Sequence, residues 1–183
     1  MNKHPELKGT KIVAQSDLFT VEQIDLKFSN GEQRKFERLA PKGCGAVMVI
    51  PMLTDDTVLM IREYAAGTDS YEILLPKGRL ECGESVLEAA NREIKEEVGY
   101  GARKLQEIKA LSLAPGYFSM KTHIVLAQDL YEEKLPHDEP EDIEVIPWRI
   151  DQLEQLFKLD EFTEARSMAA LYMVRDHLLQ QKK

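Results

Sequence analysis

Between Gly78 and Gly99 the chain reads GRLECGESVLEAANREIKEEVG, and three carboxylates near its end, Glu93, Glu96 and Glu97, have the types and spacing to do chemistry. A helix turns about 100° per residue, so Glu93 and Glu97 stand one turn apart, with Glu96 adjacent to both. Crowding like charges at this spacing costs roughly 0.2–0.5 kcal/mol per pair. The last turn of a helix is also the negative end of its macrodipole. A hard divalent cation removes both objections, because Mg2+ takes oxygen ligands and combines a few carboxylates with substrate phosphate oxygens. Such an ion can neutralise a diphosphate and activate a water. A bare pair such as Glu96-Glu97 would be an ordinary solvated acidic face. What separates this run from that reading is its fixed company: Gly78, Glu84, Arg92, Ile94 and Gly99 at set spacings.

The elements that must carry these groups follow from composition and period. Residues 84–98 lack Gly and Pro and are rich in Ala, Leu, Glu and Lys, which predicts a helix. Gly83 and Gly99 bracket it, and Gly99 suits a left-handed C-terminal stop. Leu87, Ala90, Ile94 and Val98 recur at helical spacing as the buried stripe. Arg92 has Glu88 and Glu96 four residues away, enough for surface ion pairs worth roughly 0–1 kcal/mol. Glu84, in the predicted first turn, is a favourable anion there.

Around this helix the chain predicts strands at residues 11–15, 18–28, 32–38, 46–53, 57–64, 71–75, 104–113, 122–128 and 144–148, and helices at 150–157 and 163–181. FTVEQIDLKF alternates, as a half-buried strand does. Ser29-Asn30-Gly31 turns it into a hairpin. Residues 46–53 are nearly all apolar, which marks a central buried strand. In the last helix, Met168, Leu171, Tyr172 and Leu178 form a docking stripe, and Trp148 is expected in the core. The expected division is an N-terminal β module at 1–42 and a main domain at 43–183.

The chain has 183 residues, 43% hydrophobic and 31% charged, with a formal net charge of -8. This suits one soluble domain with a sizeable core, and the acidic balance argues against a nucleic-acid partner. No apolar run is long enough to span a membrane, and the first ten residues carry no apolar signal region, so the expected location is cytoplasmic with no membrane partner. Cys44 and Cys82 have no metal-type spacing, and a disulfide between them is not expected in a cytosolic protein.

The pattern G-x5-E-x7-R-E-U-x-E-E-x-G-U, with U a bulky apolar residue, is that of the Nudix hydrolases, and this chain resembles that family with Tyr100 at the final position. Wider similarity in FTVEQIDLKFSNGE, MIREYAAGTDSYE, LAPGYFS and AQDLYEEKLPHDEPE points to the branch that includes ADP-ribose pyrophosphatases and other ADP-compound hydrolases. The resemblance implies an α/β fold, the Nudix α/β/α sandwich with a mixed sheet, preceded by an antiparallel β module exchanged within a homodimer. It implies Mg2+ or Mn2+ as cofactor and hydrolysis of ADP-containing nucleotides such as ADP-ribose, Ap3A and NADH. The alternatives are another nucleotide sugar such as GDP-mannose, or a binding module without catalysis.

The same resemblance assigns roles. Glu93, Glu97 and Glu96 hold metal with the backbone carbonyl of Lys77, Arg92 orients a metal-binding glutamate, and Glu84 is structural or an outer contact. The general base is a box glutamate or Glu139 in the acidic loop LPHDEPEDIEV, with Glu141 as fallback. Lys77 and Arg79 are phosphate contacts, and Pro115 and Tyr117 are substrate contacts. Ala65 stands where many ADP-ribose enzymes carry arginine, and Leu74 where they carry glutamate; Arg62 and Glu72 are the expected substitutes.

Overall fold

The computed structural model describes residues 3–40, 43–137 and 140–181. The chain forms two compact units, Met1–Lys42 with Ser112–Lys121, and Gly43–Leu111 with Thr122–Lys183.

The first unit is built on β1 (Glu6–Gln15), β2 (Thr20–Lys27) and β3 (Gln33–Leu39), an antiparallel sheet in that order. The β2–β3 turn forms where the sequence predicts it. Gly31 takes a φ of 88°, and Phe28 N–H donates to the Glu32 carbonyl at 2.8 Å. The segment from Ser112 to Lys121 joins this unit through Leu39 N–H, which donates to the Tyr117 carbonyl at 2.9 Å. The first strand begins five residues earlier than expected, because its N-terminal half pairs with β2 from Glu6↔Lys27 onward.

The second unit holds β4 (Ala46–Pro51), β5 (Thr57–Ala65), β6 (Ser70–Leu74), β7 (Lys77–Arg79), α1 (Val86–Glu97), β8 (Tyr100–Ser112), β9 (Lys121–Glu132) and β10 (Glu144–Arg149). A 3-10 turn at Ile150–Gln152 leads into α2 (Leu153–Leu156), and α3 is Ala165–Gln181. The strands lie in two groups, β10-β5-β6 and β7-β4-β9-β8, the second mixed because β4 is parallel to β9 and antiparallel to β7.

Side-chain alternation makes this unit a three-layer sandwich. Met48 and Ile50 of β4, with Met60, Ile124 and Leu126, pack into one core with Leu156, Phe162, Leu171 and Val174. Val49, Leu59, Ile61, Val125 and Ala127 point the other way, into a second core with Ala90, Ile94 and Val98. A strand buried on both faces must be apolar throughout, and residues 46–51 are.

Several expectations need correcting. Helix α1 starts at Val86, because Ser85 caps it: Ser85 Oγ accepts from Glu88 N–H at 3.2 Å, and Glu88 Oε2 accepts from Ser85 N–H at 2.9 Å. This reciprocal box satisfies two otherwise unpartnered amides. Leu87 is exposed instead of buried, and Val86 and Ala89 take its place on the apolar side. Tyr172 is also exposed, its ring 4.8 Å from that of Phe157. Cys44 and Cys82 form a disulfide, Cα atoms 5.5 Å apart. Their proximity comes from the antiparallel pairing of β4 with β7, which sequence spacing does not reveal. No helix among the described residues is long and apolar enough to cross a membrane.

Candidate active site

Strand β7 and helix α1 build the site together. β7 lies against β4 in the register Val47↔Gly78 and Met48↔Lys77, and α1 packs on both strands. Gly78 is a glycine for a reason of space: a Cβ there would collide with the Glu93 carboxylate. At the other end of α1, Gly99 takes a φ of 77°, which is strained for a side-chain-bearing residue, and turns the chain into β8.

Arg92 is the hub. Its Nε donates to Glu84 Oε1 at 3.1 Å, and Nη2 donates to Glu84 Oε2 at 3.1 Å and the Arg79 carbonyl at 3.0 Å. Nη1 donates to Glu93 Oε1 at 2.7 Å and Glu96 Oε2 at 3.0 Å. One guanidinium thus relieves the repulsion between Glu93 and Glu96, which sequence reasoning left to a metal. Of the two helical partners expected for Arg92, Glu96 pairs and Glu88 is committed to the helix cap. Glu97 stands apart from this fan. Its Oε2 accepts from the backbone N–H of Lys77 at 2.9 Å, and Lys77 Nζ donates to both carboxylate oxygens of Glu63 at 2.8 and 3.0 Å.

The electrostatics follow from this geometry. Burial pushes Glu97 up to about 8; the charge and backbone N–H of Lys77 oppose the shift, and the charges of Glu93 and Glu63 add to it. Burial also raises Glu93, against the Arg92 hydrogen bond. Glu84 is held below the usual carboxylate range by its hydrogen bond from Arg92. Two desolvated carboxylates are the donor chemistry that a hard divalent cation satisfies, so Glu93, Glu96 and Glu97 fit such an ion by type. As arranged, no group of three among the described residues forms an ion-ready cluster. Glu93 and Glu96 are turned onto Arg92 and would have to swing from it.

These residues line a cavity of about 720 Å³ with Lys77, Gly78, Arg79, Glu81, Pro136 and His137. Of the expected site residues, Glu93, Glu96, Glu97, Arg92, Lys77 and Arg79 are therefore brought together. Glu139 lies outside the described residues. Arg62 is placed elsewhere, paired with Glu144 at 2.6 Å and Glu161 at 2.9 Å and lining a smaller pocket with Glu141. Glu72 is buried and accepts from Thr163 N–H at 3.2 Å and Thr163 Oγ1 at 2.9 Å, so it anchors the approach to α3. Pro115 and Tyr117 belong to the first unit and line a pocket there with Ile24, Phe36 and Arg38. Sequence reasoning missed His137 and Glu63. No local pattern marks either, since both reach their neighbours only through the fold.

Two outcomes follow from the charges. Arg92→Ala leaves Glu84, Glu93 and Glu96 without their shared cation. Breaking a buried ion pair costs about 3–5 kcal/mol, and with Arg92 partly exposed the expected loss is about 2–3 kcal/mol at pH 8. Urea denaturation should show it, with a smaller loss at pH 5, where Glu93 takes up a proton more readily. The second outcome concerns pH in metal-free protein. A carboxylate raised in the folded state keeps a proton that the unfolded chain releases, so its native state loses stability as pH rises from the ordinary value near 4.5 through about 8. Glu97→Gln removes this contribution. In EDTA the variant should have a shallower stability slope between pH 5 and 8.5 and exceed the parent at pH 8.5, by a few kcal/mol at most (roughly 1.4 kcal/mol per pKa unit).

Residues 44–172 match the family described as the NUDIX domain, and residues 5–38 match the NudE-type Nudix hydrolase N-terminal domain. The chain belongs to the Nudix hydrolase family. Among its relatives, the ADP compounds hydrolase NudE of Escherichia coli (strain K12) is 51% identical over 174 residues, 95% of this chain and 93% of that one. The ADP-ribose pyrophosphatase of Bacillus subtilis (strain 168) is 31% identical over 181 residues, 94% of this chain and 97% of that one. A solved structure described as a crystal structure of ADP compounds hydrolase superposes with a TM-score of 0.91 at 50% identity, covering 98% of this chain and 96% of the other.

Proposed function

We propose that this enzyme hydrolyses the diphosphate bond of ADP-containing compounds, such as ADP-ribose, diadenosine polyphosphates and NADH, releasing AMP or ADP. The observation that carries the reading is the cavity where buried Glu93 and half-buried Glu97, with Glu96, face Lys77, Arg79 and Arg92. Half the residues shared with an ADP compounds hydrolase over nearly the whole chain supports the substrate class.

Glu93, Glu96 and Glu97, with the Lys77 carbonyl, would hold Mg2+ or Mn2+. A bound ion of this kind supplies charge neutralisation for the diphosphate and a more acidic water. The protein's own groups do the rest. Lys77 and Arg79 contact the diphosphate oxygens from the β7 side of the cavity. Arg92 sets the directions of Glu93 and Glu96, as partners of metal-binding groups do. Glu139 takes the proton of the attacking water. Arg62 ties Glu144 and Glu161 together, and Glu72 holds Thr163. The N-terminal module exchanges within a homodimer, a reading supported by the exposed Leu7, Ile12 and Phe19 in the first unit.

The test is a panel of ADP-ribose, Ap3A, NADH and GDP-mannose with Mg2+ or Mn2+. Release of AMP or ADP from the adenine compounds is the expected result. Release of GMP alone would redirect the substrate class, and no turnover on any of them would make the chain a binding module.

A further inference from the structure

We propose that Glu63 is a positioning residue for this site: by clamping the Lys77 ammonium it fixes the β7 backbone whose N–H holds Glu97. The inference rests on the reading of the cavity as the hydrolytic centre. Three observations carry it. First, β7 is only three residues long and stands at the end of its strand group, with β4 as its sole strand neighbour there. Such a short edge element has few ladder bonds of its own. Second, Glu63 lies on β5, in the other strand group, so the Glu63–Lys77 pair is a side-chain tie from one group to the other. Third, the tie is not a loose surface contact. Nζ reaches both carboxylate oxygens, at 2.8 and 3.0 Å, and the two side chains are only 23% and 22% exposed. A pair this shielded is less screened by solvent and salt than an exposed one, and both partners suffer if one is removed.

The chain of contact is then Glu63 carboxylate, Lys77 ammonium, Lys77 N–H, Glu97 carboxylate. Glu63 does not line the cavity with Lys77 and Glu97, so its effect on chemistry passes through Lys77. Conserving the charge with a shorter arm, as in Glu63→Asp, tests the reach of the clamp separately from its charge.

The experiment compares the full-length protein with Glu63→Gln, Glu63→Asp, Lys77→Met and the Glu63→Gln/Lys77→Met double variant. Two readouts are taken: kcat and KM for ADP-ribose with Mg2+, and Mn2+ affinity by titration calorimetry without substrate. Loss of a partner that orients a metal-binding group typically costs about 10–100-fold in metal affinity or activity. Glu63→Gln should therefore weaken Mn2+ and lower kcat by about 10-fold or more, with KM nearly unchanged. Glu63→Asp should fall between it and the parent. In the Lys77→Met background, Glu63→Gln should have no further effect on either readout. A Glu63→Gln protein with parental Mn2+ affinity and kcat would overturn the proposal, as would losses that multiply in the double variant. If the parent hydrolyses no ADP compound, the Mn2+ titrations still decide the clamp, so its failure is distinguishable from failure of the substrate assignment.

Discussion

Glu97→Gln is expected to lower metal-dependent hydrolysis by about 10²–10³-fold, the scale of losing one preorganised electrostatic group. Glutamine keeps the shape of the side chain and an oxygen that can accept the Lys77 N–H, so the local hydrogen bond survives. What it removes is the charge. In the metal-free protein that charge is a burden, because burial has already pushed Glu97 up to about 8. The same substitution should therefore make the protein more stable at alkaline pH while removing most of its activity. This opposition is diagnostic. A misfolded variant would lose both properties, and a purely structural glutamate would lose stability first. Measuring kcat at saturating Mg2+ beside denaturation in EDTA separates these cases, and retained turnover would overturn the metal assignment.

Glu139→Gln should slow turnover about 10²–10⁴-fold, the range for removing a general base, while Glu141→Gln should leave it nearly unchanged. The two acids are two positions apart in sequence. Pro136 and His137, just before Glu139, line the catalytic cavity with Glu93, Glu96 and Glu97. Glu141 accepts the Tyr71 hydroxyl at 2.8 Å and lines the smaller pocket with Arg62. An acid so engaged is poorly placed to take a proton from an attacking water. The pH–rate profile sharpens the test, since losing the base flattens the acid limb. Parental turnover in Glu139→Gln would return the base role to a box glutamate.

What the sequence disclosed depended on how far apart the interacting residues are. The buried strand at residues 46–51, the β2–β3 hairpin and the helix bearing the carboxylates were legible because period and turn chemistry are local. The gathering of Glu93, Glu96, Glu97 and Arg92 was legible for the same reason, as all sit on one helix. The helix start was misread by two residues although Ser85 and Glu88 have the spacing of a capping box. β7 was not read as a strand, because three residues carry no periodicity. The engagement of Glu63 with Lys77, of Glu72 with Thr163 and of Cys44 with Cys82 could not be seen, since each depends on strand pairing or helix docking. Glu72 shows the risk of same-face reasoning: alternation put it on the side of Leu74, but its Oε2 accepts from Thr163 and its Oε1 from Ser70 Oγ.

The Cys44–Cys82 bond also changes the topology of the polymer. It closes a covalent ring, its two cysteines 38 positions apart, that contains β4, β5, β6 and β7, and so Glu63, Lys77 and Gly78. Denatured oxidised protein is a lariat with two tails, and a loop of this size forfeits on the order of 4 kcal/mol of unfolded-state entropy. The ring keeps the denatured chain more compact, so the oxidised protein should unfold with a shallower dependence on urea than the reduced one. The helix with the acidic cluster hangs on the outgoing tail, and the strand that holds Glu97 lies on the ring.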